Sequence, residues 1–203
     1  MQRMFRTALL FAAISAAGIA ASCKSSSNSS GPGIFGPADQ TAQAAELVAQ
    51  ANQDLTKIKI LYDQNEGKRL EIKKAMEAND TEAAKRIARE VEQIINDGSS
   101  CANDAIDKIQ KAQEMAINED YREYLRLKEQ SLKLEGEAFE FYRQAAKILK
   151  ENFDPKDTAK RDKVKVDFKE LSDKYLDTME RARDYSHRAN ELAKEVAIKE
   201  QGN

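Results

Sequence analysis

Residues 164–196 read VKVDFKELSDKYLDTMERARDYSHRANELAKEV, and their spacing decides the fold class. Val164, Phe168, Leu171, Tyr175, Thr178, Ala182, Tyr185, Ala189, Leu192 and Val196 alternate steps of four and three. That alternation puts these residues on one face of an α-helix, and over more than four heptads it is the seam of a coiled coil or bundle. Just upstream, Asp154 is expected to cap this helix, with Pro155 in the first helical position and Asp157 near the positive end of the dipole.

Three more segments read as helices. In the first, Val48, Ala51, Leu55, Ile58 and Tyr62 lead to Asn65 and Arg69 on the same stripe, then to Ile72 and Met76. Asn79-Asp80-Thr81-Glu82 predicts a turn and a capped restart. The second stripe runs through Ala84, Ile87, Val91, Ile94, Gly98, Cys101, Ala105 and Ala112. Asp97-Gly98-Ser99-Ser100 has loop composition, yet the stripe keeps its phase across it, so one helix with a closely packed middle is expected.

From Tyr121 the apolar face shifts and widens. Leu125, Leu132, Phe139, Ala146 and Phe153 form one row, and Leu127, Leu134, Phe141 and Ile148 form another. Two adjacent rows imply two neighbours. The expected fold is an all-α, elongated antiparallel bundle of four long helices near 38–78, 80–117, 120–152 and 155–200. An extended three-helix arrangement is the alternative if the phase change near Ile117–Asp120 is drift along one helix. Aromatic residues crowd Tyr121–Tyr185 and are missing from Thr81–Ala116, which predicts a bulky core at one end and a small-residue seam at the other.

The ends of the chain speak to location. Arg3 and Arg6 precede an uncharged stretch, Thr7 to Ala21, that is shorter than the ~20 apolar residues a membrane-spanning helix needs. It ends in small residues, Ala20-Ala21-Ser22, before Cys23. This start resembles the bacterial lipoprotein signal-peptide class, with Ala20 standing where leucine is favoured. The resemblance covers residues 1–23 alone and implies cleavage before Cys23 and acylation of its thiol. An ordinary secretory peptide cut near Ala20 or Ala21 is the alternative. Residues 23–37, with Lys24, six further polar residues and Gly31-Pro32-Gly33, read as a lipidated cysteine and a flexible tether with a reach of roughly 20 Å. Lys24 is not the aspartate that commonly retains lipoproteins at the inner membrane, so the resemblance favours the outer membrane. The chain thus divides into a signal (1–22), a tether (23–37) and a helical body (38–203).

Composition and motifs exclude more than they assign. The formal charge is −2 over 203 residues, and −4 without residues 1–22. Both signs are interspersed, and a nucleic-acid partner, which calls for a gathered basic stripe, is not expected. His187 is the one histidine; with Asp184 it makes at best half of a Glu-x-x-His di-iron pattern, so it is expected at the surface. Cys101 is expected as a small buried seam residue, or else as a thiol for an intermolecular disulfide. Asn65 and Arg69, flanking Gly67, either reach solvent, fix helix register or mark a partner contact. The charge runs 119–129 and 156–165 are expected as solvated faces. No catalytic, metal-binding or cofactor-binding residue is expected, and no cofactor. The leading expectation is a non-catalytic cell-envelope lipoprotein that binds or spaces other components. It would be held to the membrane by Cys23, with a protein partner and possible self-association. A periplasmic holdase and a lipid or small-molecule carrier are the alternatives.

Overall fold

The computed structural model describes residues 39–154 and 156–201. The expected signal, Cys23 and the tether lie outside the described residues, as does Pro155. Four helices follow in order: α1 (Thr41–Glu77), α2 (Thr81–Gln113), α3 (Glu119–Asn152) and α4 (Thr158–Gln201). At 33 to 44 residues each, they span roughly 50–65 Å. Consecutive helices pack closely along their length, α1 on α2, α2 on α3 and α3 on α4. Cross-links fix the antiparallel register: Asp54 meets Lys108, Lys68 meets Glu90, Glu92 meets Lys150 and Ser131 meets the Ala182 carbonyl. The fold is an up-down-up-down bundle with four helices rather than three.

Each turn carries the chemistry that ends one helix and starts the next. Asn79 takes a left-handed φ of 55°, tolerable for asparagine, and Asp80 accepts the Ala83 N–H at 3.0 Å, capping α2. The phase change near residue 117 is a true turn. The Asn118 carboxamide accepts the Tyr121 N–H at 2.7 Å, and the Arg122 guanidinium donates to the carbonyls of Gln113, Met115 and Ile117, satisfying acceptors that the end of α2 leaves open. The start of α4 differs from expectation. Asp154 accepts the Lys156 N–H within the loop, while Asp157 accepts the Lys160 N–H at 2.9 Å and so caps the helix. The cap therefore lies three residues later than the Asp-Pro signal placed it, because two aspartates compete and the second has the helical donors above it.

The core follows the stripes closely. Ala44, Ala51, Ile58, Tyr62, Ile72 and Met76 are buried on α1, and Ala84, Ile87, Val91, Ile95, Ala102, Ala105, Ile109 and Ala112 on α2. On α3 the row Leu125, Leu132, Phe139, Ala146, Phe153 is buried throughout, whereas the second row fades after Leu134 and yields to Tyr142, Ala145 and Leu149. Helix α2 does run unbroken through Gly98. Its missing side chain admits Leu61 of α1, whose Cδ1 would lie 3.8 Å from a Cβ placed there. Cys101 is a correction: it is a free thiol, only half-buried, and the neighbouring Ala102 takes the seam.

The bulky and small residues also divide side from side rather than end from end. Aromatic rings line α3 and α4 along their length, from Tyr121 to Phe153 and from Phe168 to Tyr185. Gly67 and Gly136 face open space, and a methyl group placed at either would meet no atom within 4 Å. Both are mid-helix, where glycine costs about 0.5–1 kcal/mol relative to alanine. Gly67→Ala and Gly136→Ala are each expected to stabilise the bundle by about that amount, read as a higher urea midpoint at unchanged m-value.

Candidate functional site

The charged residues that leave the surface gather in two places. The first consists of paired charges between helices. Asp54 is buried and receives Lys108 at 2.6 Å and Lys57 at 3.0 Å; Lys108 and then Lys57 hold its carboxyl below the usual carboxylate range. Glu129 accepts the Gln110 and Gln113 amides at 2.7 Å each and pairs with Lys133. Lys128 is buried beside it in sequence, donating to Asn190 at 3.1 Å and lying 5.7 Å from the centre of the Tyr124 ring. The run 119–129 is therefore not wholly a solvated face. It ends in two buried charges because its helix turns that edge toward α2 and α4.

The second place lies where α1 faces α4, backed by α3. Tyr142 and Tyr175 pack ring against ring at 5.2 Å, Tyr142 meets Phe168 at 6.1 Å, and Phe139 meets both Tyr62 and Tyr175 at 6.2 Å. Around these rings stands a polar network. The Tyr175 hydroxyl donates to Glu66 at 2.9 Å, and Arg69 donates to the same carboxylate from two nitrogens. Arg183 of α4 donates to the Tyr62 hydroxyl at 3.2 Å. Burial raises the Tyr142 and Tyr175 hydroxyls well above their ordinary range, so both stay neutral here. One level away on α3, Glu135 is half-buried, and its carboxyl is pushed up to about 7 by burial, against the opposing pull of Lys128, Ser131 and Arg183.

Three members of this region carry polar atoms without a hydrogen-bond partner: both ends of the Asn65 amide, the Tyr142 hydroxyl and the Ser172 hydroxyl. Asn65 corrects the reading that its stripe reaches solvent there, since it is 0% exposed. Arg69 does reach the surface, with 27% of its side chain exposed. Its position beside Asn65 on an otherwise apolar stripe was the signal in the sequence. Tyr62, Glu66, Tyr142, Tyr175 and Arg183 had no such signal, because nothing in their spacing says that their tips converge.

His187 is 75% exposed, 3.9 Å from Glu191. Among the described residues no group of three or more His, Cys, Asp or Glu is placed to hold a metal ion, and no helix is long and apolar enough to cross a membrane. A shallow groove of about 270 Å³ runs between α2 and α3, lined by Ser99, Ala102, Asn103, Ile106, Leu132 and Gly136 among others. Compared with protein families, curated proteins and solved structures, the chain matches none.

Proposed function

We propose that this chain is a lipid-anchored cell-envelope protein, targeted to the outer membrane, whose helical body is a non-catalytic module that binds or spaces other envelope components. The observation that carries this reading is the run from Arg3 to Cys23, in which a basic start, an apolar stretch and Ala20-Ala21-Ser22-Cys23 follow in order. Two or more acyl chains on one cysteine make a durable attachment where a single chain is marginal. The body suits a spacer or binding rod: four helices of 33 to 44 residues present a surface of interspersed charges. Pairs such as Arg86–Glu90, Arg126–Glu123 and Arg143–Glu140 lie along single helices, and each adds only a few tenths of a kcal/mol, roughly 0.3–0.5. They serve solubility more than stability.

The mass of the processed N-terminus tests the anchor. An acylated chain beginning at Cys23 is expected, and Cys23→Ala is expected to move the protein from the membrane fraction to the soluble one. An unacylated chain beginning at another residue, with membrane association unchanged in the variant, overturns the reading.

A further inference from the structure

We propose that the bundle opens along the α1–α4 seam, as two hairpins hinged on the α2–α3 contact, with the Glu66–Tyr175 and Tyr62–Arg183 bonds as its clasps. Helices α1 and α4 are the outer elements of the body, and no turn joins them to each other. Close backbone packing links α1 to α2, α2 to α3 and α3 to α4, and no comparable run links α1 to α4. What spans that seam is a set of side-chain tips. Tyr175 reaches Glu66 at 2.9 Å, Arg183 reaches Tyr62 at 3.2 Å, and Lys165 reaches Asn79 at 2.7 Å near the α1–α2 turn. The other edges are fastened. At the opposite end of α1, Gln40 exchanges two hydrogen bonds with Ala116, at 2.9 and 3.0 Å, in the α2–α3 turn. Glu92–Lys150 and the Glu129 cluster bind α2 to α3.

The groups just inside the clasps favour opening. The Tyr142 hydroxyl has no hydrogen-bond partner, although its ring touches Tyr175 and it feels the charges of Arg69 and Glu66. Ser172, one turn along α4 from Tyr175, has an unpartnered hydroxyl as well. A buried polar group without a partner is disfavoured relative to the same group in water. Parting α1 from α4 would give these hydroxyls water, while breaking bonds whose remaining partners, Glu66 with Arg69 above all, stay satisfied. The two tyrosine hydroxyls thus bias the seam in opposite senses: that of Tyr175 holds it shut and that of Tyr142 works against it.

Two near-isosteric substitutions separate these roles. Spin labels on cysteines replacing Leu70 and Leu176, which are 55% and 45% exposed, report the α1–α4 separation by pulsed dipolar spectroscopy. The background is the full chain with Cys23 and Cys101 replaced by alanine. A second pair, replacing Asp97 on α2 and Lys147 on α3, serves as the hinge control. We expect two distances for the seam pair and one for the hinge pair. Tyr175→Phe should raise the long-distance population roughly tenfold relative to the short one, and Tyr142→Phe should lower it by a similar factor. Circular dichroism confirms that each variant is folded. A single seam distance, identical in all three proteins, overturns the proposal. So does movement of the seam and hinge distances together, or a shift of the same sign in both variants.

Discussion

Tyr175→Ala is expected to lower the stability of the bundle by about 4 kcal/mol, the range for removing a large aromatic side chain from a packed core. Tyr175 is fully buried and touches the rings of Phe139 and Tyr142. Truncation leaves a cavity beside two aromatic residues that cannot collapse into it, since both are held on α3, one turn apart. Tyr175→Phe keeps the ring and removes only the donor to Glu66, so its cost is expected near 1 kcal/mol. Urea unfolding followed by circular dichroism distinguishes the two contributions. Equal losses for both variants would place the energy in the hydroxyl and contradict the packing argument.

The second large effect concerns pH. Glu135 has a folded-state carboxyl pushed up to about 7 from an ordinary 4.5. The folded protein therefore holds this proton more tightly than the unfolded chain does. Its contribution is fully present below about pH 4.5 and is lost as pH rises through 7. A shift of this size corresponds to at most ~3–4 kcal/mol, and about 2 kcal/mol after allowance for its partial exposure. The carboxylates held low by lysine or arginine partners, such as Asp54, Glu90 and Glu123, act oppositely and only at lower pH, where the stability they add is lost as they protonate. Between pH 5 and 8 the wild-type chain should thus lose stability as pH rises. Glu135→Gln, an uncharged stand-in for the protonated acid, should flatten that slope and leave the variant the more stable protein at pH 8. Chemical denaturation at several pH values checks this, and parallel slopes for the two proteins would refute it.

Both effects arise where the helical stripes were legible and their convergence was not. Periodicity located all four helices, because a residue every three or four positions is a property of one helix alone. It carried α2 through Gly98, because a loop would have broken the phase. It also marked Asn65 as anomalous, a polar residue on an apolar stripe. It placed Ile94 and Cys101 each one position wrong: the buried stripe steps through Val91, Ile95, Gly98, Ala102 and Ala105, so Ile95 and Ala102 turn inward instead. The start of α4 was set three residues too early, because Asp154 and Asp157 are equally good caps by residue type.

Residue spacing alone, then, settled the fold class and most of the face each helix buries, since these depend on contacts between near neighbours along the chain; that residues 114–118 form a turn, giving four helices rather than three, was decided by the structure. The pairing of Glu66 with Tyr175, the partial burial of Glu135 and the meeting of α1 and α4 through side chains rather than close backbone packing were decided by tertiary structure. Each depends on residues brought together from opposite ends of the body, here up to 121 positions apart in the Tyr62–Arg183 bond. Whether a polar side chain finds a partner is set by the register between helices, and no single helix encodes that.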